Sequence, residues 1–303
     1  MIDFISPEKY FNAKHIWMTC FGDNDEYTDF IFSRLITPDK VLAFSNPDGQ
    51  VVGMLCLQPF TLQTLSGTAD VVYIFGVATL PQWRGKGIAS QLLRETQNRM
   101  SASDVVAAVL VPAGEKMFPF YEKHGFQTAF SVQKKTYTVD DLPRNPKTCV
   151  LKPAILESLI DIRNRHFGDR TLFVSWNTDY LKYIGQETRA LDGDVFTVNC
   201  EDASGYVVCY PYKDLLIIKE LTLPAKYVAD VVAALHIRFG KEGYRLHLPD
   251  GTLENFPECN ASFAMLKWYD SAAEKQLCNE KGEASYIAHV LDGPTLGVAL
   301  KSI

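Results

Sequence analysis

The sequence predicts a mixed α/β fold laid out twice along the chain. Three observations carry this. Helical and strand-like periodicities alternate through residues 1–142. At their centre an apolar strand breaks into a glycine-rich basic turn and then a helix. The order of these segments recurs in the second half. At 303 residues the chain has the length of about two domains. A hydrophobic content of 47% and a charged content of 22% are ordinary for a globular protein with a real core.

The net charge of −6 speaks against nucleic acid or an anionic membrane as a partner and is compatible with a cationic amine substrate. The N-terminus lacks a basic region followed by a long apolar core, and no stretch approaches about 20 uncharged apolar residues. Neither export nor membrane spanning is expected, and the expected location is cytoplasmic. Seven cysteines (Cys20, Cys56, Cys149, Cys200, Cys209, Cys259, Cys278) are scattered with no C-x-x-C pair. They read as buried, reduced thiols, and neither zinc nor any other metal is expected.

Taken in order, Pro7 to Phe21 reads as a helix with Tyr10, Lys14, Trp17 and Met18 roughly on one face. An acidic turn, Asp23 to Glu26, leads to a second helix over Tyr27 to Leu35. Val41 to Ser45 and Val51 to Leu57 read as strands about the turn Asn46-Pro47-Asp48-Gly49, and Phe60 to Leu65 as a third. The central strand is Val71 to Leu80. After its turn, Ile88, Leu92, Thr96 and Met100 recur every four residues on one helix face. Val105 to Val111 reads as a buried strand. A short helix through Phe118 to His124 is capped by Gly125, and Phe126 to Tyr137 is expected to form two closing strands.

The turn between strand and helix carries the chemistry. A helix start leaves backbone N–H groups without intrahelical partners, backed by the positive end of the dipole. Gly85 and Gly87 remove the side chains that would keep a bulky anion away. The dinucleotide fingerprint needs a third small residue where Ser90 stands and an acid about twenty positions on, where Val105 to Val111 has none. The Walker spacing is absent. What fits is Q/R-x-x-G-x-G/A, as Gln82-Trp83-Arg84-Gly85-Lys86-Gly87. That pattern resembles the pyrophosphate loop of the GNAT superfamily of acyl-CoA-dependent N-acyltransferases. Some forty residues on, Phe120-Tyr121-Glu122-Lys123-His124-Gly125-Phe126 resembles that superfamily's F-Y-x-x-x-G-F. Helix–helix–strands–loop–helix–strand–helix–strand is also the order of one GNAT domain.

The resemblance implies an acetyl-CoA cosubstrate held by pantetheine contacts at Val77, Ala78 and Thr79. It implies pyrophosphate contacts at Gln82 and from Arg84 through Gly85, Lys86, Gly87 and Ile88 to Ala89. Tyr121 would protonate the leaving thiolate. The alternative for Tyr121 is a packed aromatic residue. Many relatives carry a glutamate on the central strand near the position of Val71. Here only Asp70 and Tyr73 are close, and strand alternation places them on opposite faces. Asp23, Asp25 and Glu26 offer carboxylates for a cationic substrate, or equally a solvated helix cap. The general base is left unassigned, and His15 and His124 receive no role.

The second half repeats the first. Gly53-Met54-Leu55-Cys56-Leu57 has a counterpart in Gly205-Tyr206-Val207-Val208-Cys209, and Ala78-Thr79-Leu80-Pro81 in Leu221-Thr222-Leu223-Pro224. Leu110 to Gly114 matches His247 to Gly251, and Phe118-Pro119 matches Phe256-Pro257. The copy lacks the chemistry: after Pro224 the chain enters its helix with no glycine turn, and near Cys259 there is no tyrosine. The expectation is two tandem GNAT-like domains, 1–142 catalytic and 143–303 degenerate, joined by the polar segment Asp140 to Lys147. This is similar to the enhanced-intracellular-survival-type acetyltransferases, whose further sterol-carrier-like domain is not expected here.

The sequence thus predicts an N-acetyltransferase moving an acyl group from CoA to a primary amine in a ternary complex. Against it stands a non-catalytic acyl-CoA-binding regulatory protein, and more remotely a partner-binding scaffold. Acceptor loops vary most, so a small amine, an aminoglycoside-like polyamine, an amino acid and a protein amine all remain open, as does the oligomeric state.

Overall fold

The computed structural model describes residues 1–64, 66–168, 172–249 and 260–277. Packing sorts them into two units. The first is Met1–Ala129 with the described residues from Phe263 onward; the second is the described part of Phe130–Ser262.

In the first unit β1 (Ile2–Phe4) precedes α1 (Tyr10–Phe21), which buries Ala13, Ile16 and Trp17 and stops at Gly22. Gly22 takes the left-handed conformation that ends helices cheaply only without a Cβ. α2 (Asp25–Arg34) starts where the Asn24 side chain accepts from the Tyr27 N–H. Then follow β2 (Val41–Ser45), β3 (Val51–Thr64), β4 (Gly67–Thr79), α3 (Ile88–Met100), β5 (Ala107–Leu110) and α4 (Phe118–Glu122). The separate strand expected from Phe60 onward is the second half of β3. Pro59 does not break it, since a proline can stay in a strand where its missing N–H is not needed.

β6 (Gln127–Thr138) is one strand where two were expected, since no turn residue interrupts it. Its first residues belong to the first unit, and from Phe130 it belongs to the second. The second unit continues with β7 (Val150–Pro153), α5 (Leu159–Phe167), β8 (Leu172–Ser175), α6 (Thr178–Ala190), β9 (Asp194–Asn199), β10 (Ser204–Tyr212), β11 (Leu215–Leu221), α7 (Val228–Phe239) and β12 (Gly243–Pro249). β13 (Asn260–Trp268) then enters the first unit, followed there by α8 (Ser271–Leu277).

Strand pairing within each unit is mixed and follows one plan. In the first unit the order is β1-β2-β3-β4-β5-β13, antiparallel except for the parallel pair β4–β5. In the second it is β7-β9-β10-β11-β12-β6, antiparallel except for β11–β12. The strand that closes each unit's own order comes from the other half of the sequence. The division at 142 and 143 expected from the sequence follows chain order, whereas packing groups β6 and β13 by their partners. Apolar strands and the buried face of α7 form the second unit's core, including Phe196, Val207, Ile218, Val231 and Leu246.

The second unit also buries charge. Arg163 Nε donates to Glu220 Oε1 at 3.2 Å and its Nη1 to the Val174 carbonyl at 2.9 Å. The Tyr206 hydroxyl donates to the same carboxylate, and Lys219 pairs with Glu187 at 3.6 Å. Cys149 and Cys200 form a disulfide, against the expectation of reduced thiols. The reason is register: Val150 pairs with Asn199, which sets the two cysteines opposite each other just beyond β7 and β9. Among the described residues no helix is long and apolar enough to cross a membrane.

Candidate active site

The site is built on a defect in β4. Met54 pairs with Ala78 but Cys56 pairs with Phe75, so β4 carries one extra residue there, a bulge. Gly76 sits in it with φ +58, and a Cβ would lie 2.7 Å from Cζ3 of Trp17 and 3.3 Å from Cys56 Sγ. Only glycine suits both the backbone angle and the space. The Trp17 indole is fully buried, packs edge-on against Phe21 and Phe32, and donates from Nε1 to Asp23 Oδ2 at 2.8 Å. Asp23, one of the three acidic candidates, is therefore engaged by the floor of the bulge.

Parallel pairing of β4 with β5 covers only Val71 to Ile74, ending at Leu110. Val77, Ala78 and Thr79 lie beyond it, so their edge on the β5 side runs without a strand partner. An amide-bearing chain can add to such an edge as a further strand. Val77 and Thr79 are half-exposed there, and Ala78 is buried.

At the end of β4 Pro81 opens a short 3-10 turn, and Gly85 and Gly87 follow with φ +76 and +71. Nothing lies within 4 Å of a Cβ built at either glycine. The N–H groups of Gly85, Lys86 and Gly87 find no acceptor among the described residues, and Gly87 caps α3 without a side-chain bond. Ile88 anchors the helix in the core, while Gln82 is exposed and Ala89 half-exposed. The two cations of the loop point elsewhere. Arg84 Nε donates to the Thr79 carbonyl at 3.1 Å, and Lys86 Nζ lies 4.2 Å over the Trp83 ring.

Tyr121 projects from α4, nine-tenths buried, edge-on to Phe120 and Phe126. Burial pushes its phenol up to about 12, so it holds its proton throughout the physiological range. Its hydroxyl makes no hydrogen bond with the described residues, which leaves it available as a donor. The turn behind it is tied down: the N–H groups of His124 and Phe126 both donate to the Tyr121 carbonyl. His124, given no role from the sequence, bonds through Nε2 to Ser90 Oγ in the first turn of α3 at 2.9 Å.

At the central-strand position where a glutamate is common, Val71 is buried and apolar. Asp70 is exposed and Tyr73 buried, in accord with strand alternation. Asp25 and Glu26 lie exposed in the first turn of α2. In the second unit a short 3-10 turn over Ala225–Tyr227 runs straight into α7 with no glycine loop. The β4 bulge has a counterpart between Val208 and Cys209, where the extra residue on β11 is Lys219 beside Glu220. Asp250, Gly251, Phe256, Pro257 and Cys259 lie outside the described residues. The bulge, the indole beneath it and the Ser90–His124 bond escaped the sequence reading because each joins residues distant in sequence and leaves no local pattern.

A family model described as an acetyltransferase (GNAT) domain matches residues 2–129. No curated protein matches the chain. Among solved structures, a GCN5-related N-acetyltransferase from Anabaena variabilis is similar at 16% identity and TM-score 0.72, over 89% of this chain and 73% of that one. A GCN5-related N-acetyltransferase from Kribbella flavida is similar at 16% and 0.69, over 90% and 73%. Eis1 from Mycobacterium abscessus is similar at 17% and 0.67, over 90% and 75%. At such identities the likeness is one of fold. Residues 2–129 are thus similar to a GNAT acetyltransferase domain.

Proposed function

We propose that the chain is an acetyl-CoA-dependent N-acetyltransferase acting on a primary amine, with one working site on β4, α3 and α4. The observation that carries this is the row of unclaimed amides at Gly85, Lys86 and Gly87, standing at the end of the unpaired β4 edge. That arrangement fits a diphosphate joined to an amide-bearing arm. The amides take the diphosphate oxygens, with the start of α3 behind them. Val77 and Thr79 take the arm as an added strand, for which Arg84 releases the Thr79 carbonyl. Bound so, the thioester supplies a carbonyl for a neutral amine to attack and a thiolate to leave.

The protein's part in the chemistry is orientation and one proton. Tyr121 keeps its phenol protonated and gives that proton to the departing sulfur, a transfer typically worth about a hundred- to ten-thousand-fold. No carboxylate replaces Val71, so the amine is deprotonated in solution or through water at the site. The second unit, with the same strand plan and no glycine loop, is a non-catalytic copy.

Calorimetric titration with acetyl-CoA tests the reading, followed by turnover across primary amines. One site per chain, with Tyr121→Phe losing turnover by about a hundredfold or more at unchanged affinity, is the expected outcome. Absence of binding sinks it. The second reading, a regulatory acyl-CoA binder, draws on the apolar Val71. It predicts binding without turnover.

A further inference from the structure

The strand that closes the first unit's order beyond β5 brings one charged side chain to the turn behind Tyr121. Lys267 lies in β13 opposite Ala108. Its ammonium donates to the His124 carbonyl at 2.6 Å and to Gln97 Oε1 of α3 at 2.7 Å. The stem crosses Gly125 so closely that a Cβ there would lie 3.3 Å from Lys267 Cε. The Phe126 ring stands 5.9 Å from the ammonium.

We propose that Lys267 is a positioning residue for Tyr121: by gripping the His124 carbonyl and Gln97 together, it holds the turn after α4 against α3. The proposal rests on the reading of Tyr121 as the proton donor.

Three physical points support it. α4 has five residues, too few to persist by its own cooperativity, so its placement depends on the turn that follows it. A charge-assisted bond to the His124 carbonyl in that turn is the strongest local tie available. Second, both recorded hydrogen-bond acceptors of Lys267 are neutral, so its charge is half-buried without a carboxylate, and burial lowers its pKa. A methionine would fill the same volume without that desolvation, so packing alone does not account for an ammonium here. Third, the tie acts three residues from Tyr121, whose carbonyl anchors the same turn. Misplacement of a reacting group by about 1 Å can cost about a hundredfold in rate.

A double-mutant cycle tests this, read as kcat with saturating acetyl-CoA and the best acceptor from a panel of spermidine, kanamycin and a lysine peptide. Lys267→Met is expected to lower kcat about tenfold while acetyl-CoA affinity changes less than about twofold. Lys267→Arg should recover most of the loss. In a Tyr121→Phe background Lys267→Met should change nothing further, since one residue acts through the other. Gln97→Leu, which removes one of the two acceptors, carries the same cycle should the methionine variant fail to fold. Independent, multiplicative losses overturn the assignment, as does an unaffected Lys267→Met enzyme beside a slow Tyr121→Phe one. A Tyr121→Phe enzyme as fast as the wild type overturns the acid role and this inference together.

Discussion

Ser90 Oγ and His124 Nε2 lie 2.9 Å apart, so the first turn of α3 is tied to the turn that follows α4. Any shift of the glycine loop is thereby felt three residues from Tyr121.

That bond has a pH signature. Burial, then the charges of Lys267 and Arg94, hold His124 below the ordinary imidazole range. As pH falls, the unfolded chain takes up this proton before the folded one does. The stability His124 contributes is therefore present above about pH 6.5 and is lost as pH falls from there through the folded value. Urea midpoints of wild type and His124→Gln should diverge between pH 7 and pH 5, the wild type losing more. Parallel profiles would remove the argument.

Gly76→Ala should be costly although the substitution is small. The new methyl meets the buried Trp17 ring and must adopt a positive φ. Strain and overpacking together amount to about 2–4 kcal/mol. Thermal unfolding should show a clear loss of Tm, and a variant as stable as the wild type would mean the indole moves freely.

The buried pair in the second unit should be intolerant of half-removal. Glu220→Gln leaves the Arg163 guanidinium without its counter-charge in the core, a loss of about 3–5 kcal/mol. The double variant Arg163→Met with Glu220→Leu should recover part of that. Chemical denaturation of the three proteins decides; equal losses in single and double variants would show that the ion pair is not the source.

Much of this architecture was legible in local pattern. The four-residue recurrence from Ile88 gave α3, three of whose four face positions are buried, with Met100 half-buried. Gly22, Gly85, Gly87 and Gly125 each mark a turn where the backbone takes positive φ. What local pattern did not carry is pairing across distance. No feature of residues 127–138 says that this strand will lie beside Gly243–Pro249, and none near Lys267 says that it will bond the turn after α4. The Cys149–Cys200 bond was missed for the same reason, because scattered spacing is silent about register.

The exchange of β6 and β13 sets a timetable. β5 finds its outer neighbour, Met265 to Trp268, roughly 160 residues further along the chain. At ribosomal speeds of about 5–20 residues per second, the β5 edge waits on the order of ten to thirty seconds for that segment to be made. Through that interval the nascent first unit shows an open, wholly apolar edge, the kind that invites pairing with a neighbouring chain. The second half of the chain still has to be synthesised, because β13, the outer neighbour of β5, lies in it.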